Sequence, residues 1–199
     1  MKAINQIKQY IEAIPAGRPF AATEFQHLAT SENVRKILSR LVRVGEIKRV
    51  ARGIFVKPKK LAYVGEVLPS PYEVVKSIAK NTGETLSIHG AEAARQLHLT
   101  TQVPLQLVFY TSGNSRTIHI GNQKVKMQHV SPRKLFAPGT VKGNVISALW
   151  YLGQAHVAQK TIHAIKKQLS EEEFNDVVQE MSQMPAWMAK QFYLYQQRK

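Results

Sequence analysis

The sequence predicts an α+β protein with two domains, one over residues 1–58 and the other over residues 61–199. Residues 31–57 have the pattern of a basic amphipathic helix followed by a short β-hairpin, and further helical patterns precede them. Pro58-Lys59-Lys60 interrupts the pattern and marks the expected boundary. In the second domain, a mixed α/β pattern with a small sheet comes before a helical tail.

Two helices and a short strand are expected before residue 31. The first helix is predicted by four isoleucines at helical spacing, Ile4, Ile7, Ile11 and Ile14. Pro15-Ala16-Gly17 ends it, and Phe20 with Ala21 can form a short strand. Residues 23–26, with Thr23 at the start and Gln26 at the end, have the form of a capping box and predict a second, short helix.

The third helix carries the clearest pattern in the chain. At about 100° per residue, one side is apolar and consists of Val34, Ile37, Leu38, Leu41, Val42 and Val44. The opposite side is polar and cationic and consists of Arg35, Lys36, Ser39, Arg40 and Arg43. Gly45 is the expected C-terminal cap, because glycine adopts positive φ at little cost. Residues 47–50 and 54–57 flank Ala51-Arg52-Gly53 and predict a hairpin with glycine in its turn.

The order helix, helix, turn, helix and hairpin predicts a winged helix-turn-helix, and the position of its charge predicts DNA binding. The candidate contacts on the third helix are Ser31, Asn33, Arg35, Lys36, Ser39, Arg40 and Arg43. Arginine pairs with guanine and asparagine with adenine in the major groove. We therefore expect Asn33, Arg35 and Lys36 to contact bases, and Arg40 and Arg43 to hold phosphates.

The predicted hairpin adds three candidate DNA contacts, Lys48, Arg49 and Arg52. Arg52 lies at the tip, where it is expected to reach the minor groove or its phosphates, and the other two are expected to contact the DNA backbone. The alternative for residues 1–58 is a small α/β module that binds protein instead of DNA.

The net charge of +15, from 28 Lys plus Arg against 13 Asp plus Glu, indicates a polyanionic partner. The charge is concentrated at the N-terminal end: residues 1–60 contain 13 basic and 4 acidic residues, whereas residues 169–199 contain 3 and 5. The alternative is a basic protein without such a partner.

Several classes of protein are disfavoured by the composition. Without cysteine, the chain has neither disulfides nor thiolate metal sites. No apolar run is long enough to cross a membrane, and the N-terminal pattern is an amphipathic helix, so we expect a cytoplasmic protein. Asp176 is the single aspartate, and the seven histidines lack zinc-site spacing. We therefore expect no metal, no cofactor and no enzymatic activity.

The second domain is predicted from shorter patterns. Helices are expected over residues 71–80, 91–97, 144–152, 159–169, 171–181 and 186–196, and strands over 85–88, 106–110, 116–120 and 124–130. Gly121-Asn122 indicates a hairpin between the last two strands. A second basic group on or beside this hairpin comprises Arg116, Lys124, Lys126, Arg133 and Lys134. It either contacts nucleic acid or forms a solvated face of the sheet.

The chain resembles a known family in both halves. VRKILSRLVRVGEIKRVARGIFVKP, residues 34–58, is similar to the N-terminal domain of AbiEi-type antitoxins. LTTQVP (99–104), SRTIHIGN (115–122), HVSPRKL (129–135) and VISALWYLG (145–153) resemble the body of their DUF6088-type relatives. In residues 89–98 the chain departs from the family pattern, which more often has Ser at position 89 and Gly at position 98.

The resemblance implies an antitoxin of a type IV toxin–antitoxin system, which serves phage abortive infection or plasmid maintenance. The winged helix of such antitoxins binds inverted repeats in its own promoter. The C-terminal domain counteracts a nucleotidyltransferase-like toxin, generally without a stable complex. A monomer or weak dimer that pairs on the DNA fits this function. The alternatives are a regulator that responds to a ligand or protein and has no toxin partner, and a nucleic-acid-modifying enzyme.

Overall fold

The structure, a computed structural model, describes residues 2–63 and 65–197. Within them the chain forms eight α-helices and three small sheets, a mixed α+β fold as predicted. It divides into two compact units: Met1–Glu84 with Ile118–Val125, and Thr85–Thr117 with Lys126–Lys199. The expected boundary at Pro58-Lys59-Lys60 thus lies inside the first unit.

The first unit begins with the elements expected from the sequence. Their bounds are α1 Lys2–Ala13, β1 Pro19–Ala21, α2 Ser31–Arg43, β2 Lys48–Ala51 and β3 Ile54–Val56. The three strands form an antiparallel sheet in the order β1-β3-β2. In this sheet Phe20 lies opposite Phe55, and Ala51 lies opposite Ile54 at the end of the hairpin.

The core of this unit is built from the apolar faces of α1 and α2 and from the aromatic residues of the sheet. Its buried members are Ile7, Ile11, Ile14, Phe20, Phe25, Val34, Leu38, Leu41, Ile47 and Phe55. The ring of Phe20 meets that of Phe25 edge-on at 5.7 Å between centroids and stacks on Phe55 at 6.1 Å. Offset and edge-on ring pairs of this kind add to the free energy gained by burial.

The short helix expected to open at Thr23 is only a 3₁₀ turn, Ala22–Phe25. The predicted capping box at residues 23–26 is wrong, because a different acceptor caps the turn: the Glu24 carboxylate accepts the N–H of Ala21 at 2.7 Å. The Thr23 hydroxyl instead bonds to the side chain of Asn81. This tertiary partner, distant in sequence, is not visible in the local pattern.

The apolar face of α2 is also shorter than predicted. Val34, Leu38 and Leu41 are buried, but Val44 is 60% exposed. The helix ends at Arg43, and Gly45 follows with a φ of +78°. The chain therefore turns away before Val44 can join the core. The expected role of Gly45 is confirmed: the N–H of Glu46 reaches the carbonyl of Leu41 at 3.0 Å across it.

A hairpin and a third helix extend the first unit beyond the predicted residues 1–58. The hairpin, β4 Lys59–Leu61 and β5 Gly65–Val67, begins within the expected boundary Pro58-Lys59-Lys60 and continues into the residues assigned to the second domain. Helix α3, Pro71–Thr82, starts at a Ser70 cap whose N–H is accepted by Glu73 at 2.7 Å. It contacts β1 and β3. An amphipathic helix buries its apolar face against whatever sheet lies nearest.

The remaining strands form a four-stranded sheet; one helix lies between its first two strands in the chain, and four helices follow its last strand. The strands are β6 Leu86–Ile88, β7 Leu107–Thr111, β8 Arg116–Ile120 and β9 Gln123–His129, in the order β6-β7-β9-β8. The helices are α4 Gly90–Gln96, α5 Val141–Leu152, α6 Gln159–Gln168, α7 Glu171–Gln179 and α8 Ala186–Gln196. The small sheet and helical tail predicted from the sequence are present.

The core of the second unit depends on a close approach between α4 and α5. Its buried residues come from all five helices and include Ala93, Ala94, Val145, Leu149, Ile162, Phe174 and Phe192. Gly90 makes the approach possible: a Cβ there would lie 2.4 Å from the carbonyl oxygen of Ser147 and 2.5 Å from the Cβ of Tyr151. Since neither atom lies at the end of a flexible side chain, any larger residue must push the helices apart.

We expect Gly90→Ala to lower the free energy of unfolding by about 1–3 kcal/mol, the usual cost of overpacking a core. The normal gain in helix propensity from glycine to alanine acts in the opposite direction and is outweighed by the clash. Urea unfolding followed by circular dichroism measures the change. An unchanged or higher midpoint would show that α4 and α5 are not in this contact.

Candidate nucleic-acid interface

The predicted contact face of α2 is exposed along its whole length. Val34, Leu38 and Leu41 anchor the opposite face in the core and so fix the rotation of the helix. As a result all the candidates face solvent, namely Ser31, Asn33, Arg35, Lys36, Ser39, Arg40 and Arg43. At the start of α2, the Thr30 hydroxyl accepts the backbone N–H of Asn33 at 3.4 Å.

The β2–β3 hairpin ends in a tight turn that presents Arg52. Gly53 has a φ of +76°, which glycine adopts without steric cost. The N–H of Ala22 donates to the carbonyl of Gly53 at 2.9 Å and ties the turn to the start of the 3₁₀ segment. The Arg49 Nε donates to the carbonyl of Ala51 at 3.4 Å, where the ladder changes register. The hairpin tip is therefore fixed relative to α2.

A groove with a volume of about 770 Å³ runs between α2 and the hairpin. The polar residues that line it from α2 are Glu32 and three residues spaced one turn apart, Ser31, Arg35 and Ser39. The hairpin contributes Arg49 and Arg52. The structure thus brings together three arginines from two elements. Asn33, Lys36, Arg40 and Arg43 are exposed on α2 but do not line the groove.

The charges around this groove differ in whether they have acidic partners. Lys36 pairs with Glu32 at 2.8 Å, and the ammonium of Lys48 pairs with Glu66 of β5. In contrast, Arg35, Arg40, Arg43 and Arg52 have no acidic partner among residues 2–63 and 65–197. Uncompensated cations around a groove create a positive potential that attracts anions.

Residues 6–177 match the family DUF6088, described as a family of unknown function. The match includes α2, the β2–β3 hairpin and the four-stranded sheet. The chain belongs to the DUF6088 family. No curated protein and no solved structure matches it significantly. Any statement about the activity of this DUF6088 protein therefore depends on its own residues.

The second basic group is divided by the structure. Lys124 and Arg133 are exposed, and an Arg116 guanidinium N–H donates to the carbonyl of Asn114 at 3.1 Å. Lys126 and Lys134 come close enough to His89 for their charges to act on its imidazole. The sequence predicts a basic surface here, but it does not indicate that a partly buried histidine lies near two of the lysines.

Burial lowers the pKa of His89 below its ordinary value, and the positive charges of Lys126 and Lys134 lower it further. The ring is held in place because its Nδ1 accepts the backbone N–H of Ala91 at 3.1 Å. That bond is available only while Nδ1 carries no proton, which also favours the neutral form.

A cationic cavity in the first unit was not predicted. It has a volume of about 600 Å³ and is lined by Arg18, Lys59, Lys76 and Lys80, among others. Glu24 and Glu73 also line it, but both carboxylates accept backbone N–H groups. The available signal was the spacing of Lys76 and Lys80, four residues apart in a predicted helix. The tertiary neighbours Arg18 and Lys59 could not be inferred from it.

Two further properties of the described residues are relevant to function. Over residues 2–63 and 65–197, no three His, Asp or Glu side chains lie close enough together to form a metal site. In the same part of the chain, no helix combines the length and the apolar character that crossing a bilayer requires.

We expect the stability of this DUF6088 protein to fall as the pH drops below about 6.5, where the unfolded chain starts to protonate His89. The folded chain takes up that proton only at lower pH, since its pKa is lowered. The loss levels off once the folded state is protonated too. In urea unfolding between pH 5 and 8, His89→Gln should remove this pH-dependent loss of stability. His119→Gln, at an exposed position on β8, should leave it in place. Identical pH profiles for the wild type and His89→Gln would contradict the assignment.

Proposed function

We propose that this DUF6088 protein is an AbiEi-like antitoxin that represses its own operon, and that its N-terminal region is a winged helix-turn-helix that binds double-stranded DNA. The observation that carries the proposal is the groove between α2 and the β2–β3 hairpin, lined by Arg35, Arg49 and Arg52. An exposed helix beside a basic hairpin is the geometry with which winged helices contact DNA.

The arrangement of the first unit supports the winged-helix assignment. The chain passes from α1 through β1 and a 3₁₀ turn to α2, and then into the β2–β3 hairpin. Strand β1 completes the antiparallel sheet by pairing with β3. In this proposal α2 is the recognition helix, the hairpin is the wing, and the 3₁₀ turn Ala22–Phe25 replaces the second helix.

The proposed DNA contacts divide into base and phosphate contacts. Arg35 lies in the first half of α2 and lines the groove, so we assign it to a base in the major groove. Arg40 and Arg43, on the last turns of the helix, are assigned to phosphates, and Arg52 at the hairpin tip to the adjacent minor groove or its phosphates. Within residues 2–63 and 65–197, these guanidinium groups have no acidic partner to give up before they bind DNA.

The antitoxin part of the proposal is supported by the resemblance of the second half of the chain to antitoxin relatives. In this proposal the winged helix binds inverted repeats in the promoter, so two copies lie on the DNA although the free protein is a monomer or weak dimer. The second half counteracts a nucleotidyltransferase-like toxin without a stable complex. The role is one of binding rather than catalysis, it takes place in the cytoplasm, and it uses no cofactor.

A second candidate is a winged-helix regulator that responds to a ligand and has no toxin partner. The cavity lined by Arg18, Lys59, Lys76 and Lys80 favours it, because this cationic cavity lies in the same unit as α2 and the hairpin. An anionic metabolite bound there would be the signal in this candidate function.

Arginine substitutions in the groove should separate base contacts from phosphate contacts. Arg35→Ala should cost about 1–3 kcal/mol on the promoter repeat and much less on scrambled duplex, because it removes a base contact. Arg40→Ala and Arg52→Ala should weaken binding to both duplexes and reduce the salt slope by about 1 each. Fluorescence anisotropy at several salt concentrations measures both quantities.

Lys167→Ala is the matched control for these substitutions, since it removes an exposed cation on α6 in the other unit. It should leave both affinities within about twofold, as surface substitutions generally do. The proposed DNA binding is wrong if the wild-type protein binds neither duplex at low salt.

Co-expression should separate the antitoxin from the ligand-responsive regulator. We expect a neighbouring nucleotidyltransferase-like gene to arrest growth alone and to be harmless with this protein. The double variant Arg35→Ala/Arg52→Ala should still rescue growth while losing repression of a promoter reporter, because the substitutions affect only the DNA groove. If no neighbouring gene is toxic, or if the protein does not rescue growth, the antitoxin function is excluded and the regulator is favoured.

A further inference from the structure

A second group of polar and aromatic side chains lies in the second unit and has no part in the proposed DNA contacts. We call it the His89 cluster, and it consists of His89, Tyr110, Tyr151, Lys126 and Lys134. They come from five places in the fold: the end of β6, strand β7, helix α5, strand β9 and the 3₁₀ turn Pro132–Leu135. The sequence gives no pattern that joins them.

The aromatic rings of this cluster are in direct contact. The ring of His89 lies 4.7 Å from that of Tyr110 and 5.8 Å from that of Tyr151, measured between centroids. Tyr110 is buried, and the backbone of Gly90 lies close enough to its hydroxyl to act on it. Tyr151 is 43% exposed, so it presents a ring to solvent beside the histidine. The absence of a Cβ at Gly90 allows Tyr151 to come this close.

His89 offers a hydrogen-bond donor. Because its Nδ1 accepts the N–H of Ala91, the proton of the neutral ring lies on Nε2. Burial lowers the pKa of His89, and Lys126 and Lys134 lower it further, so the ring stays neutral at pH 7. The second ring nitrogen is therefore an uncharged N–H donor.

The two lysines supply positive charge that nothing in the described chain neutralises. Neither Lys126 nor Lys134 has an acidic partner among residues 2–63 and 65–197. The ammonium of Lys134 lies 5.5 Å from the centroid of the Trp150 ring, next along α5 from Tyr151. Both lysines also act on the imidazole of His89. Two ammonium groups thus lie near the same group of aromatic rings.

We propose that the His89 cluster binds a nucleotide unit, with the base stacked on Tyr151 and the phosphate held by Lys126, Lys134 and the Nε2–H of His89. Ammonium groups and an N–H donor suit a phosphate, and an exposed ring suits a base, which stacks with little regard to sequence. A carboxylate-rich peptide would use the lysines but would leave the ring without a partner. The nucleotide unit belongs either to a free nucleotide or to a single strand.

The binding test uses the full chain carrying Arg35→Ala and Arg52→Ala, so that the α2 groove contributes little. The probes are a fluorescein-labelled ten-nucleotide single strand of DNA and its RNA counterpart, with ATP, inorganic phosphate and a ten-residue polyglutamate peptide as competitors. Tyr151→Ala should weaken single-strand binding about tenfold by removing a stacked base. Lys126→Ala and Lys134→Ala should each weaken it several-fold.

Matched controls distinguish this site from general attraction to a basic protein. Tyr193→Ala removes an exposed tyrosine from α8, and Lys167→Ala removes an exposed lysine from α6. Both should stay within about twofold of the parent. Tyr151→Phe should retain binding because it keeps the ring, and it separates stacking from any loss of folding in Tyr151→Ala. Near-ultraviolet circular dichroism shows whether each variant keeps its packing.

The competitors decide the source of the nucleotide. If ATP displaces the strand, the site takes free nucleotides, and if ATP does not displace it, the site takes single-stranded nucleic acid; both outcomes support the proposal. The proposal fails if polyglutamate competes as well as the strand does, or if the Tyr151 and Lys126 variants behave like their controls. Operator binding is measured in a separate experiment, on duplex DNA and with the α2 groove intact. Success or failure of the His89 proposal therefore does not decide whether the protein binds its operator.

Discussion

The burial of one face of α2 is the constraint on which the first unit depends. Val34, Leu38 and Leu41 lie in the core with the isoleucines of α1, and each side chain of this size contributes about 1.5–3 kcal/mol when fully buried. That burial fixes the rotation of the helix, so its cationic side faces outward. The N–H of Ala22 holds the turn of the hairpin nearby. Core packing thus places the arginines of the groove near one another, although their positive charges repel.

The acidic residues explain why so much positive charge is left exposed. Several of them serve the backbone: Glu24, Glu73 and Glu173 accept N–H groups at the starts of helical segments. Others are taken up in pairs, such as Glu66 with Lys48. Carboxylates engaged in this way are poorly placed to neutralise Arg35 or Arg52. The fold therefore leaves the excess positive charge of the sequence poorly neutralised around Arg35 and Arg52.

The second unit depends on a different contact, the approach of α4 to α5 at Gly90. Any side chain at that position would collide with Ser147 and Tyr151. The approach brings Tyr151 beside His89, and the backbone of Gly90 lies near the hydroxyl of Tyr110. Gly90 thus allows α4 to pack against α5 and also allows the His89 cluster to form. His98, which follows α4, has a φ of +53° and so lies in the left-handed region of the backbone map.

The sequence by itself determined the α+β class, most helices and strands, and the exposed cationic face of α2, because periodicity and turn residues act over a few neighbouring positions. Only the tertiary structure decided the rest. It placed α3 and the β4–β5 hairpin in the first unit and left Val44 exposed. It also made Glu24, and not Thr23, the residue that caps the 3₁₀ turn, and it brought the His89 cluster together from five places in the fold. These outcomes depend on contacts between residues far apart in the chain, which no local pattern records.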